Sequence, residues 1–165
     1  LEAKPNPAHL FLAELEKAKR LNYVITQNID GLHQMAGSKK VIELHGSVHR
    51  NYCLECGRFF PASFIKDCKG VPHCPSCGGL IKPDVVLYGE PLNEGDVNRA
   101  LIQIQNAEIL IVAGTSLVVY PAAGFIDYFK GKHLVLINKD QTVADSKADV
   151  VIHQKVGKLF SLLHV

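Results

Sequence analysis

Tyr23-Val24-Ile25-Thr26-Gln27-Asn28-Ile29-Asp30-Gly31-Leu32-His33 carries a short β-branched run straight into polar residues and a glycine. Such a run reads as a buried parallel strand, Leu21 to Thr26, that hands over to a loop at its carboxyl end. In open α/β sheets, ligands bind in the crevice outside those strand ends, so Gln27, Asn28 and Asp30 stand where a ligand would sit. A second cluster follows closely: Val41-Ile42-Glu43-Leu44-His45-Gly46. A histidine beside a glycine, just after a loop bearing amides and a carboxylate, suits general-base chemistry, although a lone histidine is more often structural.

Outward from that stretch, strand and helix alternate. Residues 4–20 read as a helix capped by Asn6, with Pro7 in its first turn and Leu12, Leu15 and Ala18 on one face. Leu32 to Ala36 form a short helix closed by Gly37, and His33 in it reads as structural. Val85 to Tyr88 read as a strand ended by Gly89-Glu90-Pro91, and Glu94 to Ala107 as a helix with Val97, Leu101 and Ile104 on one face. Glu108 to Ala113 form a buried strand, because Ile109-Leu110-Ile111-Val112 shows no alternation. Gly114-Thr115-Ser116 follow at its carboxyl end. A helix runs from Pro121 to about Lys130, a strand from Leu134 to Ile137, a strand from Asp149 to Ile152 and a helix from Val156 to Leu163. The pattern predicts an α/β fold, a doubly wound parallel sheet of Rossmann-like type. No G-x-G-x-x-G is present, so the ordinary dinucleotide fingerprint is missing from these residues.

Residues 48–83 are of a different kind. Cys53-Leu54-Glu55-Cys56-Gly57 and Cys74-Pro75-Ser76-Cys77-Gly78-Gly79 are two knuckles, each a tight turn that aims two thiolates at one point. Two knuckles give a tetrahedral set of four sulfurs suited to Zn²⁺, with no open position for water, which makes the zinc structural. The resulting division is 1–47 and 84–165 for a partial Rossmann-like domain and 48–83 for an inserted zinc-ribbon module. His73 is surplus to the ligand count and Cys68 reads as a free thiol.

The bulk properties exclude several classes. The 165 residues are 47% hydrophobic, which supports a packed core. Lys and Arg number 18 against 16 acidic residues, a net charge of +2 with no basic tract, so no nucleic-acid partner is expected. No apolar run approaches a membrane span and no signal-peptide pattern opens the sequence, which predicts a cytoplasmic protein without a membrane partner.

In this order, Thr26-Gln27-Asn28-Ile29-Asp30-Gly31-Leu32-His33, Glu43-Leu44-His45-Gly46, the two knuckles, Tyr88-Gly89-Glu90, Gly114-Thr115-Ser116-Leu117 and Ile137-Asn138 closely resemble the sirtuins, the NAD-dependent protein lysine deacylases, and bacterial members most nearly. The resemblance covers nearly the whole sequence. It implies NAD as cofactor, an acyl-lysine protein or peptide as substrate, and release of nicotinamide and O-acyl-ADP-ribose. His45 resembles the family's general base, with Asn28 and Asp30 beside the reacting ribose. Gln27, Asn28, Ile29 and Asp30 resemble the residues around nicotinamide and its ribose. Gly114, Thr115 and Ser116 resemble the cofactor-contacting turn, Asn138 with Lys139 the adenosine-ribose position, and Val156 a late residue near the adenine. Val86, Tyr88, Gly89 and Glu90 on one side, and Leu117 and Val118 on the other, resemble the edges that clamp the acyl-lysine peptide as an added strand.

The chemistry suits these residue types. In the family that the sequence resembles, the acyl oxygen attacks C1′ of the ribose as nicotinamide departs, through a cationic transition state that a carboxylate or oriented amides stabilise. A ribose hydroxyl then loses a proton, the task of a histidine base. No protein nucleophile is required. The family's Gly-Ala-Gly turn and flexible cofactor loop do not occur in these residues, and the sequence opens on Leu1. The expectation is therefore a chain lacking the amino-terminal cofactor-loop segment, an incomplete enzyme by itself, with two strand edges left without a neighbour. Two other readings stay open at this point: ADP-ribosyl transfer on the same scaffold, and a non-catalytic zinc-ribbon binding module.

Overall fold

The computed structural model describes residues 2–165, and Leu1, the start of the predicted first span, lies outside them. The first helix, α1 (Pro7–Lys17), begins where the sequence places its cap. Asn6 Oδ1 accepts the N–H groups of Ala8 and His9 at 2.9 and 3.3 Å. His9 Nδ1 returns the bond by accepting the Asn6 N–H at 3.2 Å, so a histidine completes the capping box. The buried residues of α1 are Ala8 and His9; Ala18, predicted on the inner face, is an exposed cap residue beyond the last turn.

Strand β1 (Val24–Thr26) pairs in parallel with β2 (Val41–Glu43), joined through the short helix α2 (Leu32–Met35). Three later strands, β6 (Ile109–Ala113), β7 (His133–Asn138) and β8 (Val150–His153), form a second parallel sheet in that order. Among the described residues no ladder joins the two sheets. They are joined instead by packing. Helix α4 (Glu94–Asn106), capped by Asn93 Oδ1 on the Asp96 N–H at 3.1 Å, lays Ala100 and Ile104 against Ile42 and Leu44, with Ile25 of β1 and Leu110 of β6 in the same cluster. The opposite face of β7 carries Ile137 against Ala8 and Phe11 of α1 and Phe160 of α5 (Val156–Phe160), the two phenyl rings 5.3 Å apart. Helices thus cover both faces of the β6-β7-β8 sheet, which is the doubly wound arrangement the alternation predicts.

Three expectations change. The strand 109–113 is not buried throughout: Ile109 and Ile111 are 54% and 40% exposed, because α1 and α5 cover β7 and β8 but stop short of β6. The segment after Pro121 is a 3-10 helix, Ala122–Tyr128, following a cis Tyr120–Pro121 bond. The strand predicted at Val85–Tyr88 is instead β5 (Ile81–Val85), and it is antiparallel.

Its partner is β3 (Gly46–Cys53), whose Gly46 faces Val85 and whose Cys53 faces Ile81. With β4 (Phe59–Pro61) on the other side of β3, this makes a three-stranded antiparallel sheet, followed along the chain by helix α3 (Ala62–Asp67). Phe60, Ile81 and the buried sulfurs Cys53 and Cys74 make a small core of their own, with Phe64 and Ile65 against it. Arg50 fastens this sheet to the parallel one: Nη1 donates to Glu43 Oε2 at 2.7 Å and Nε to Asp84 Oδ2 at 2.8 Å. Glu43, at the end of β2, has a side chain only 8% exposed, so this charge has been taken from water and given a partner.

Candidate active site and metal centre

The loop after β1 is shaped by its own side chains. Thr26 Oγ1 accepts the Asn28 N–H at 3.1 Å, and Asp30 Oδ1 accepts the Leu32 N–H at 3.0 Å, an Asx turn that opens α2. Gly31 sits in the left-handed region at φ +69. The backbone carbonyls of this loop are then taken up from the next element. His45 Nδ1 lies 2.8 Å from Gln27 O, Val48 N–H donates to Ile29 O at 3.0 Å, and His49 Nε2 lies 2.9 Å from Asp30 O. Because a carbonyl only accepts, the proton of His45 resides on Nδ1 and that of His49 on Nε2. His45 therefore keeps Nε2 as a lone-pair acceptor, the form a general base requires.

Of the residues singled out in sequence, Gln27, Asn28, Ile29, Asp30 and His45 are brought together in this way. Val86 joins them, since its N–H donates to His45 O at 3.1 Å. The segment beyond it is not a strand. Glu90 Oε2 ties it into a turn, accepting the Leu87 N–H at 2.9 Å and Lys82 Nζ at 3.3 Å, and these two bonds, the backbone one first, hold the Glu90 carboxyl below its ordinary range. Tyr88 is fully exposed and Gly89 is beside it at φ +86.

The second candidate turn follows β6. Gly114 has φ +65 and its N–H continues the parallel ladder to Ile137 O at 2.9 Å. A Cβ on Gly114 would lie 3.5 Å from Val156 Cγ2, so Val156 is a neighbour of this turn. Thr115 Oγ1 accepts the Leu117 N–H at 3.2 Å. Leu117 itself holds φ +55, which costs a branched residue on the order of 1 kcal/mol, and it does so because its side chain is buried against Leu136 and Ala144. Leu117 thus turns inward, whereas Ser116, Val118 and Val119 are exposed. Asn138 ends β7, and its amide donates to Asp140 O at 3.0 Å to shape the turn that holds exposed Lys139.

The four knuckle cysteines converge: their Sγ atoms all lie within 4.8 Å of one another, Cys53 and Cys74 buried, Cys56 and Cys77 exposed. Each knuckle closes on itself, Gly57 N–H to Cys53 O at 3.0 Å and Gly78 N–H to Cys74 O at 2.9 Å. Gly79 has no room for a side chain, since a Cβ there would stand 2.9 Å from Cys53 Sγ. The protonation of the set fits a cation. Burial opposes ionisation of Cys74, but the N–H groups of Ser76 and Cys77 outweigh it and bring that thiol down to about 6. The Gly79 N–H favours ionisation of Cys77, yet the neighbouring sulfurs Cys53 and Cys56 prevail and push it up to about 12. Cys53 and Cys74 are both drawn down while Cys77 is pushed up, so a full set of thiolates needs a positive ion among them, and four sulfurs at this spacing suit zinc. His73 is occupied elsewhere, its Nδ1 2.9 Å from Gly78 O, and Cys68 donates to Phe64 O at 3.2 Å.

His49 and Gly31 meet at the loop that carries Asp30, and sequence reasoning singles out neither for the site. The only sequence signal for either is that a glycine follows Asp30.

Comparison with known proteins agrees with this geometry. The family model described as the Sir2 family matches residues 1–121. The chain is 60% identical over 158 residues to an NAD-dependent protein deacetylase of Clostridium perfringens, covering 95% of this chain and 65% of that protein. It is 50% identical over 153 residues to the NAD-dependent protein deacetylase of Staphylococcus aureus strain Mu50, covering 93% and 63%. It therefore spans somewhat less than two thirds of the length of these relatives. A solved structure titled "Sir2-p53 peptide-NAD+" superposes with a TM-score of 0.92 at 42% identity, covering 98% of this chain and 70% of the other. A second, "Sir2 bound to acetylated peptide", gives the same score and identity. The strand-end loops, the paired knuckles and these matches place the chain in the Sir2 family.

Proposed function

We propose that this chain supplies the nicotinamide end and the catalytic histidine of an NAD-dependent protein lysine deacylase that removes acetyl or related acyl groups. The observation that carries the reading is the 2.8 Å contact from His45 Nδ1 to Gln27 O, which sets a histidine in base-competent form against the loop bearing Asn28 and Asp30. Bound NAD supplies an electrophilic ribose carbon with nicotinamide as its leaving group. Asp30 and the Asn28 amide stabilise positive charge developing beside them. His45 Nε2 takes the proton from a ribose hydroxyl. Gln27 and Ile29 complete the nicotinamide pocket, Gly114, Thr115, Ser116 and Val156 hold the cofactor along the second turn, and Asn138 with Lys139 meets the adenosine ribose. Val86, Tyr88, Gly89 and Glu90 on one side, with the Leu117–Val118 backbone on the other, take the acyl-lysine peptide.

In the same reading, residues 48–83 are a module held by structural zinc on Cys53, Cys56, Cys74 and Cys77, and 1–47 with 84–165 are the cofactor-binding part. Four cysteines kept as thiolates belong in a reducing compartment, which supports a cytoplasmic setting. Among the described residues no helix is long and apolar enough to cross a membrane. The test is incubation of the protein, at its natural length, with NAD and an acetyl-lysine peptide, followed by mass spectrometry. Deacetylated peptide and O-acetyl-ADP-ribose in equal amounts support the reading. Peptide that stays acetylated, or ADP-ribose transferred onto protein instead, overturns it.

A further inference from the structure

The strap across the Gln27–Gly31 loop has three bonds, two from the side chains of His45 and His49 and one from the Val48 backbone. His49 Nε2 meets Asp30 O at 2.9 Å. The edge of the ring abuts the next residue as well: a Cβ on Gly31 would stand 2.8 Å from His49 Cδ2 and 3.0 Å from Nε2. The Asp30–Gly31 peptide is therefore gripped at its oxygen and at the adjacent α-carbon by one imidazole. The ring is itself anchored, because His49 follows Val48, whose N–H holds Ile29 O at 3.0 Å, and the His49 N–H donates to buried Ser47 Oγ at 3.2 Å. On its other side, the Asp30 carboxylate is held, among the described residues, by the Leu32 N–H alone.

We infer that His49 is the positioning residue of the candidate nicotinamide site, fixing the Asp30 carboxylate by clamping the Asp30–Gly31 peptide from β3. This rests on the NAD-dependent reading above. His49 does not touch the reacting atoms and acts through Asp30. A ring that clamps a loop by one hydrogen bond should contribute about fivefold to tenfold to whatever that loop binds. Gly31 is its complement, since any side chain there would expel the ring.

The test compares His49→Phe, which keeps a ring but loses the donor, with His49→Gln, whose amide N–H can reach the same carbonyl. In the protein at its natural length, His49→Phe should raise KM for NAD about fivefold to tenfold and leave KM for the acyl peptide unchanged. His49→Gln should recover most of that loss. Combined with Asp30→Asn, His49→Phe should add little further, because both act through one carboxylate. Amide hydrogen exchange at Leu32, which reads the Asp30 Oδ1 bond directly, should quicken by a similar factor in His49→Phe and not in His49→Gln. An unchanged KM for NAD in His49→Phe, an equal loss in both variants, or full additivity with Asp30→Asn overturns the inference. If the unsubstituted protein consumes no NAD, the deacylase reading fails, and Leu32 exchange alone then decides whether His49 is the clamp.

Discussion

Gly46 offers the sharpest single perturbation, because two costs meet there and a control separates them. It is the residue after His45 and the first of β3, at φ +74, paired with Val85 across the ladder. A Cβ at this position would stand 1.9 Å from the Asp84 carbonyl oxygen and 2.8 Å from its carbon. Both atoms are backbone, so no side-chain rotation relieves the clash. The left-handed conformation alone costs an alanine about 1 kcal/mol. Forcing β5 away from β3 adds roughly 2 kcal/mol more, the usual scale for an overpacked site. Gly46→Ala should therefore lose about 3 kcal/mol, or on the order of 6–12 °C in midpoint for a chain of this size. Gly70 has φ +82 with nothing within 4 Å of its virtual Cβ, so Gly70→Ala should lose only the first term, about 1 kcal/mol. Urea unfolding of both variants, with an unchanged denaturant slope, reads the difference. Equal losses for the two, or a Gly46→Ala variant within about 0.5 kcal/mol of the parent, would refute the close approach of β3 to β5 beside His45.

Two further outcomes follow from the same structure. His9 and His33 pack with ring centroids 4.7 Å apart and planes tilted by 59°, His9 buried and His33 Nδ1 without a hydrogen-bond partner among the described residues. Burial pushes both below their ordinary 6.5, the charge of His9 pushes His33 further, and Asp30 opposes the shift in each. Folding thus favours the neutral rings: their contribution is complete above pH 6.5 and is lost as pH falls through the lowered folded values. Urea midpoints measured from about pH 7.5 down to about pH 5 should fall for the parent and fall less for His33→Gln; parallel curves would contradict this. Metal removal should unfold the β4-β3-β5 sheet, since the ion contributes on the order of 10 kcal/mol to a module whose own core is small. Elemental analysis should find one tightly held zinc per chain, absent in Cys74→Ser, and a chelated protein that keeps its unfolding midpoint would contradict the assignment.

What was legible in sequence was local or periodic. The knuckles are turns whose chemistry lies within five residues, so both cysteine pairs and their glycines were placed correctly. Asn6, Pro7 and the Val97-Leu101-Ile104 face announced α1 and α4 by capping and by period. The carboxyl-end loops could be located because a β-branched run ending in polar residues or a glycine marks where a parallel strand stops, although many such turns look alike. What was not legible depends on distant partners. Strand β3 reads Gly-Ser-Val-His-Arg-Asn-Tyr-Cys, a poor strand by propensity, and it exists because β4 and β5 pair with both its edges. The apolar run 109–112 promised burial on both sides, but the residues that would cover Ile109 and Ile111 are not supplied by α1 or α5. His49 was silent because the role proposed for it depends on its ring edge meeting a glycine eighteen positions earlier.

The measurement that bears most directly on the account compares two reactions of one protein, NAD-dependent deacylation and exchange of labelled nicotinamide into NAD, before and after His45→Ala. In the proposed reaction, departure of nicotinamide draws on the Asn28 and Asp30 loop but on no base, whereas the later proton removal is assigned to His45. The account predicts that the parent, at its natural length, carries out both, and that His45→Ala loses deacylation by at least about a hundredfold while nicotinamide exchange persists. Deacylation at the parent rate in His45→Ala, or a parent that neither exchanges nicotinamide nor deacylates, would contradict it.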